Sequence, residues 1–526
     1  SATGTGKLNL VLNANTDATG GGAASLNSGG SLVLKGGTIS SANGSALTVV
    51  TGTLDNVTLS TNLQTSNQIY LQNGLTLNGA TLTVNGGSIN YNGTQAIGGT
   101  GSLVFAGSGT GYLYRQTAGT TLTIGSGVTV SGSGTGGAYI GYYSDEAINF
   151  QGTLNANAAG KNWYLGSLAN TGNINVSAGA VHLDTISGVG SWTNTATVGK
   201  GIAVSGGVLN LGDAFNASSL GNIVQTGGTV NLTGTMTLNQ ASTNLSTVGL
   251  TSFVVTGGSA QIIGGGNTLT SNGTLALSTA AGATLNNVVL ATNLSVTGVT
   301  YLTNGLTLAT NATTLNPATV TLGNGGDIRY NGTQTLGGTG SLIFGGTSTT
   351  WLYRQAGGTT LTIGPGITVS GSGTGSVYLG YYSDEAINFQ GVLNASVAGK
   401  TWYLGNVANT GNINISAGTV HLDTASGVGS WSNTATGGKG IAVSGSSVLN
   451  LGDAFSFVNK TGEAGGSVAP PYGIFVAVLM GFLYPLFTIT GFDASAHTSE
   501  ETVDAQNTVH KGMIHSVFWS LVFGFV

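Results

Sequence analysis

Short alternations of apolar and polar residues recur from the N-terminus of the chain to about Phe455. The run from Thr121 to Ile124 places Leu122 and Ile124 on one side of an extended backbone, and Gly30–Ile39 shows the same alternation. Such runs last about four to six residues and then break at Gly or Asn, which tolerate the positive φ of tight corners. The pattern predicts many short β-strands joined by tight turns.

A single strand of this length cannot bury its apolar side alone. Stacking it on the same strand of the next turn, about 4.8 Å away, creates a continuous core and pairs every backbone group. We therefore predict an all-β fold for residues 1–455, a β-solenoid (parallel β-helix) with about 20–25 residues per turn. A sandwich or a propeller is the alternative, but neither accounts for such uneven strands punctuated by glycine.

The chain carries an internal duplication. Asn92–Phe215 aligns with Asn331–Phe455, and about 97 of the 124 aligned positions are identical. A weaker match upstream extends the two related units to about residues 70–215 and 301–455. The alignment stops at Phe455, so residues 456–526 are predicted to form a separate region.

Composition narrows the possible functions. The 526 residues include 93 Gly, 5 Pro and no Cys, the charged fraction is 5%, and the net charge is −5. No disulfide or thiolate metal site is possible without Cys, and we assign no metal and no cofactor. Basic residues are too sparse for a phosphate-binding patch, so nucleic acid is not an expected partner. The start at Ser1, without Met or a signal-like segment, is expected either after removal of a leader or in a fragment of a longer protein, and we favour the fragment.

The recurring Gly-Thr-Leu and Gly-x-Val-x-Leu strings resemble the passenger regions of bacterial autotransporters and filamentous-haemagglutinin-like exoproteins. The resemblance covers residues 1–455 and reports a shared architecture. It implies export, an extracellular location at the cell surface, and a host or cell-surface glycan or protein as the partner.

The region after Phe455 has a different character. Tyr472–Ile489 is apolar and long enough for a membrane-spanning helix, which predicts membrane contact through residues 472–492. A second apolar stretch begins at Gly512, so residues 472–526 are expected in a membrane.

The run from Gly481 to His497, continued by Thr498–Thr502, resembles the sixth transmembrane helix of the amino-acid permeases of the APC superfamily. The resemblance implies a discontinuous helix whose unwound middle faces the substrate, and Pro485 would help to interrupt the helix. The substrate-binding positions that it implies are Phe487, Thr488, Ile489, Thr490 and Gly491. We expect a truncated permease segment that is inactive alone and was joined to the solenoid as a chimera.

The richest polar cluster of the solenoid occurs once in each copy. Tyrosine rings beside carboxylates predict glycan contact. The alternative interpretation is a surface loop that leaves a turn of the solenoid and binds nothing. The residues are Tyr142, Tyr143, Asp145, Glu146, Tyr381, Tyr382, Asp384 and Glu385. Adjacent strand residues point to opposite faces, so Asp145 and Glu146 are not expected to flank one glycosidic bond. We assign no catalytic residue and do not expect an enzyme.

Two further residue types have competing interpretations. His182 and Asp184 alternate on one strand face and predict a hydrogen-bonded surface pair rather than a metal site. Large aromatic side chains in a glycine-rich rod favour core positions over sugar platforms; these are Trp163, Trp192, Trp402 and Trp431. The leading hypothesis is a structural or adhesive β-solenoid. The alternatives are an amino-acid transporter, as fragment or chimera, and a carbohydrate-binding or carbohydrate-active β-helix.

Overall fold

The structure, a computed structural model, describes residues 24–26, 32–41, 46–197 and 199–454. The chain divides into two units, Ser1–Ser456 and Phe457–Val526, and the second lies outside the described residues. The predicted membrane span 472–492 and the permease-like positions 487–491 therefore lie outside them too. In the part that the structure describes, no helix combines the length and hydropathy needed to cross a membrane.

Short strands make up nearly all of the ordered secondary structure. Those of the first half are β1 Ala24–Leu26, β2 Val33–Lys35, β3 Thr38–Ile39, β4 Leu47–Val49, β5 Thr51–Leu59, β6 Leu63–Thr65, β7 Gln68–Asn85, β8 Ser88–Asn92, β9 Gln95–Ala106, β10 Gly111–Arg115, β11 Thr121–Ile124, β12 Val128–Gly132, β13 Ala138–Ile140, β14 Ala147–Phe150, β15 Thr153–Ala156, β16 Asn162–Leu165, β17 Leu168–Asn170, β18 Asn173–Val176, β19 Ala180–Leu183, β20 Thr193–Asn194, β21 Gly201–Val204, β22 Val208–Leu211 and β23 Ala214–Asn216.

The second half opens with a 3-10 turn at Ala217–Leu220 and contains a short helix, α1, at Leu245–Val248. Its strands are β24 Ile223–Gln225, β25 Thr229–Leu232, β26 Thr235–Thr237, β27 Ser242–Asn244, β28 Ser252–Val255, β29 Gln261–Ile263, β30 Thr268–Thr270, β31 Ala276–Thr279, β32 Ala283–Ala291, β33 Leu294–Val296, β34 Val299–Leu308, β35 Ala318–Leu322, β36 Asp327–Asn331, β37 Gln334–Gly338, β38 Gly340–Phe344, β39 Thr350–Arg354, β40 Thr360–Ile363, β41 Ile367–Gly371, β42 Val377–Leu379, β43 Ala386–Phe389, β44 Val392–Ala395, β45 Thr401–Leu404, β46 Val407–Asn409, β47 Asn412–Ile415, β48 Thr419–Leu422, β49 Ser432–Asn433, β50 Gly440–Val443 and β51 Val448–Leu451.

These strands pair in parallel with their equivalents one turn away, which confirms the predicted parallel β-solenoid for the described residues. Paired residues are separated by one turn of chain, from 16 residues between Leu47 and Leu63 to 30 between Leu306 and Leu336. The predicted range of 20–25 residues per turn was therefore too narrow. Turn length varies because the corners differ in length and because some strands, such as β7 with 18 residues, continue through a corner.

Stacked strands form columns along the solenoid axis. One, the long column, runs through β10, β13, β16, β19, β22, β25, β28, β31, β33, β35, β38, β41, β44, β47 and β50. Another, the late column, begins at β23 and runs through β26, β29, β32, β34, β36, β39, β42, β45, β48 and β51. Duplicated strands do not always share a column, since β13 belongs to the long column and its counterpart β42 to the late column.

The interior is a continuous apolar core. Leu122, Ile148 and Leu168 occupy equivalent inward positions on successive turns and are almost completely buried. Trp163, Trp192 and Trp402 are each 1% exposed, which confirms their core placement. Trp431 packs against the same core as a partly buried residue.

The last described turn exposes apolar side chains that the first copy buries. Val443 and Leu451 are 49% and 50% exposed, whereas their counterparts Val204 and Leu211 are fully buried. In the first copy β24 and β25 pair with β21 and β22 and cover them. Burial at these positions therefore depends on the following turn.

Candidate functional site

Four aromatic rings stack on the outer side of the long column. Tyr112, Tyr139, Tyr164 and His182 are register partners on β10, β13, β16 and β19. Successive ring centroids are 5.1, 4.5 and 4.5 Å apart, with interplanar angles of 17°, 5° and 14°. Parallel strands about 4.8 Å apart bring identical positions to stacking distance, so the register itself produces the stack.

Amide side chains continue the row beyond the rings. Asn210 is the register partner of His182, and its Nδ2 lies 3.1 Å from Nδ1 of that histidine. Asn231, one turn further, donates from Nδ2 to Oδ1 of Asn210 at 2.9 Å. The outer side of this column therefore presents aromatic and amide groups on six successive turns.

The corner between β13 and β14 is held together by a buried carboxylate. Glu146 is 3% exposed and accepts hydrogen bonds from the Tyr91 hydroxyl at 2.9 Å and the Arg115 amide at 2.8 Å. The amides of Tyr142 and Tyr143 also donate to it. One side chain thereby satisfies three backbone N–H groups and a phenol, which fixes the loop that carries both tyrosines.

Glycine is required where this corner begins. Gly141 has a φ of 78°, a left-handed conformation that favours glycine. A Cβ at this position would lie 2.4 Å from the carbonyl oxygen of Gly166 on the next turn. The close approach of the two turns sets the direction in which Tyr142 leaves the strand.

Tilted rings flank the stack and complete a patch that we call the first aromatic face. Tyr142 packs against Tyr112 and Tyr139 with interplanar angles of 65° and 57°. Tyr143 lies at 72° to Tyr142, and Tyr114 contacts both. The members of the face are Tyr112, Tyr114, Tyr139, Tyr142, Tyr143, Tyr164 and His182, and all are partly exposed.

Charge on this face is paired. The Arg115 guanidinium lies 4.3 Å from the centroid of the Tyr143 ring, and its Nε donates to Asp145 Oδ1 at 2.7 Å. The Asp145 side chain is 47% exposed, so the ion pair sits at the rim of the face. A cation over a ring and a carboxylate on that cation hold Tyr143 in place without giving the face a net charge.

Burial raises the pKa of two phenols and lowers the pKa of the imidazole in this region. Burial, and then the neighbouring Tyr164 and Tyr112, raise the pKa of Tyr139 above its usual value. Burial and the Glu146 carboxylate raise the pKa of Tyr91 further still. Burial lowers the pKa of His182, so this imidazole is neutral at pH 7. The row therefore offers uncharged hydroxyl, imidazole and amide groups.

The second copy reproduces the arrangement on the late column. Tyr378, Tyr403 and His421 stack with centroid separations of 4.6 and 4.8 Å. Trp351 replaces the first tyrosine and stacks on Tyr378 at 6.4 Å. The second aromatic face comprises Trp351, Tyr353, Tyr378, Tyr381, Tyr382, Tyr403 and His421.

The corner of this second face is built like the first. Glu385 is buried and accepts from the Tyr330 hydroxyl and from the amides of Arg354, Tyr381 and Tyr382. Arg354 lies over Tyr382 and bonds to Asp384. Two separate surfaces of nearly identical chemistry thus occur on one solenoid.

The predicted glycan-contact residues separate into two groups. Tyr142, Tyr143, Tyr381 and Tyr382 belong to the aromatic faces, and Asp145 and Asp384 lie at their rims. The carboxylates of Glu146 and Glu385 point inward and are engaged by the corner, so neither can contact a ligand at the surface; this corrects their prediction.

Sequence reasoning missed the stacked residues themselves. Tyr112, Tyr139 and Tyr164 are 27 and 25 residues apart, because their turns differ in length. Their shared signal is position within the strand: each outward aromatic precedes an inward Leu or Ile by one residue, as in Tyr139-Ile140 and Tyr164-Leu165. Aligning strands rather than counting residues would have revealed the row.

The predicted hydrogen-bonded pair of His182 and Asp184 is replaced by other contacts. His182 contacts Asn210 as described, whereas Asp184 accepts from the backbone amide of Asp213 at 3.3 Å. Burial and the Asp213 carboxylate raise the pKa of Asp184. No cluster of three or more potential metal ligands occurs in the described ranges.

Comparison with known proteins finds a relative for only a small part of the chain. A segment of 70 residues is 41% identical to the amino-acid permease BAT1 of Arabidopsis thaliana. The match covers 13% of this chain and 13% of that permease. Its length fits residues 456–526, which carry the permease-like string. No protein-family model and no solved structure matches the chain.

Proposed function

We propose that residues 1–455 form an extracellular adhesive β-solenoid that binds a glycan at a cell surface through its two aromatic faces. The observation that carries the proposal is the recurrence, on two separate columns, of a partly exposed aromatic patch whose charges are paired. Partly exposed aromatic side chains are costly to leave without a partner and are enriched at binding surfaces.

The chemistry of each face supports a saccharide ligand. The tilted rings of Tyr142 and Tyr143 offer apolar surface to the C–H groups of a sugar. The stacked rings turn their edges outward, and their hydroxyl groups can exchange hydrogen bonds with sugar hydroxyls. An uncharged surface suits a neutral glycan better than an acidic one.

The same geometry favours binding over hydrolysis. Retaining and inverting glycosidases place two carboxyl groups on either side of the scissile bond. At this corner Glu146 is buried within the backbone and Asp145 is held by Arg115. We therefore propose that the aromatic faces bind sugar without hydrolysing it.

A glycan array probed with the full chain tests the proposal. We expect binding that is lost when Tyr142→Ala is combined with Tyr381→Ala, because each substitution removes a tilted ring that contacts at least three other rings of its face. Thr123→Ala combined with Thr362→Ala is the matched control, since it alters outward positions of β11 and β40 that belong to neither aromatic face, and it should retain binding. Binding that survives the tyrosine substitutions would place the ligand elsewhere.

A second candidate function rests on the permease match. We propose that residues 456–526 derive from a membrane transporter of amino acids, and that they do not transport alone because the match covers 13% of the permease. Uptake of radiolabelled amino acids by cells expressing the chain tests the expected lack of transport. Uptake above that of cells without the chain would contradict this expectation.

A further inference from the structure

We propose that each aromatic face binds an extended, equatorially linked polysaccharide, of the β-1,4-glucan type, that lies along the solenoid axis with one sugar per turn. The inference rests on the glycan binding proposed above and adds the linkage and orientation of the ligand.

The spacing of the stack carries the inference. Centroid separations of 5.1, 4.5 and 4.5 Å repeat the distance between neighbouring turns. A pyranose chain with equatorial linkages at both ends is a flat ribbon, and its advance per sugar is slightly longer than the spacing of about 4.8 Å between strands. An α-1,4-linked chain of the same sugar curves away from a straight row. Only the first type keeps successive sugars in register with successive turns.

The polar groups repeat with the same period. Each stacked tyrosine contributes one hydroxyl per turn, and His182, Asn210 and Asn231 continue the row as imidazole and amide groups. The contacts between His182, Asn210 and Asn231 fix the side chains before a ligand arrives. A ribbon of sugars along this row would meet one hydrogen-bonding group for each of its units, with little ordering cost on the protein side.

The flanking rings give the ribbon one wall. Tyr142 bridges two turns, with centroids 6.3 Å from Tyr112 and 6.2 Å from Tyr139, and is inclined to both. In the second face Tyr381 is inclined at 67° to Tyr378, with centroids 5.5 Å apart.

The second face keeps the close spacing from Tyr378 to His421, and its first step, from Trp351 to Tyr378, is wider at 6.4 Å. Trp351 stands where the first copy has Tyr112, and Arg329 stands where it has Asn90. Arg329 lies 5.2 Å from the centroid of the Tyr353 ring and is paired with Asp327 at 3.5 Å. The added cation is therefore balanced, and the spacings of 4.6 and 4.8 Å persist beyond the tryptophan.

Titration calorimetry of the full chain with two series of oligosaccharides tests the inference. The probes are cello-oligosaccharides (β-1,4) and malto-oligosaccharides (α-1,4) of two to six glucose units. We expect the affinity for the cello series to rise at least about tenfold from two to four units and then to level off, because the stack has four rings. We expect the malto series to bind at least about tenfold more weakly at every length.

Shortening the row should shorten the preferred ligand. Tyr164→Ala combined with Tyr403→Ala interrupts both stacks, and we expect the rise in affinity to end near two units. Tyr164→Phe with Tyr403→Phe keeps the rings and removes the hydroxyls, so affinity should fall for ligands long enough to reach the third turn, without moving the plateau. Thr123→Ala with Thr362→Ala, which alters outward positions of β11 and β40, is the matched control and should match the unaltered chain.

The outcomes separate this inference from the proposed function. Equal binding of both series, or affinity that does not depend on length, overturns the axial arrangement while glycan binding stands. A plateau unmoved by the alanine substitutions, in protein whose far-ultraviolet circular dichroism is unchanged, also overturns it. If neither series binds and the glycan array is blank as well, both the inference and the proposed function fail.

Discussion

Replacing Glu146 should open the corner of the first aromatic face. Its carboxylate accepts from three backbone amides and from the Tyr91 hydroxyl, and the residue is 3% exposed. Leaving a buried donor without a partner costs about 1–3 kcal/mol. Some of the four donors will find water once the loop opens, so we expect Glu146→Ala to lower the local free energy of opening by about 4 kcal/mol.

Hydrogen exchange read out by mass spectrometry measures this effect locally. A solenoid opens in segments rather than as a single unit, so the peptide that spans β13 and β14 reports on the corner. Loss of about 4 kcal/mol would speed its exchange by roughly a thousandfold. The corresponding peptide of the second copy retains Glu385 and provides an internal reference in the same sample.

Asp145→Asn is the matched control for this prediction. The Asp145 side chain is 47% exposed, and an ion pair at the surface contributes about 0.2–1 kcal/mol. We therefore expect less than a tenfold change in exchange for the same peptide. Equal and small effects of the two substitutions would refute the assignment of the corner to the buried carboxylate.

Three further predictions follow from buried or exposed groups. Burial lowers the pKa of Lys161. Between that lowered pKa and about 10.5 the unfolded chain binds more protons than the folded one, so the free energy of unfolding should rise with pH in this window. Urea unfolding should show this rise, and the rise should be smaller in Lys161→Met. Trp163→Ala should destabilise its turns by about 3–5 kcal/mol, because the indole is 1% exposed and packs edge-on against Phe105; a loss below 1 kcal/mol in denaturant unfolding would contradict this. Finally, the amide of Val443 should exchange faster than that of Val204, because the latter lies under a further turn; equal protection would refute the reasoning.

The architecture could be predicted because it depends on local patterns. Alternation such as Thr121 to Ile124 fixes which side chains enter the core, and glycine marks the corners. Turn length could not be predicted as well, since a corner as long as residues 184–192 inserts chain without disturbing the strands on either side. Columns that begin or change partners, as at β23, leave no comparable signal in the sequence.

The candidate site could be predicted only in part. Tyr142 and Tyr143 attract attention because they adjoin Asp145 and Glu146 in the sequence. The stacked partners Tyr139 and Tyr164 are isolated residues whose proximity exists only in the folded register. Likewise, the charge of Glu146 indicates a surface position, and only the three amides that converge on it explain its burial.

The position of the ligand on the two aromatic faces can be measured directly. Hydroxyl-radical footprinting of the full chain, with and without the best-binding oligosaccharide, measures the oxidation of each tyrosine. We predict protection of Tyr139 and Tyr142 in the first face and of Tyr378 and Tyr381 in the second, with unchanged oxidation of Tyr70. Unchanged oxidation of the four face tyrosines in protein saturated with ligand would contradict the central claim.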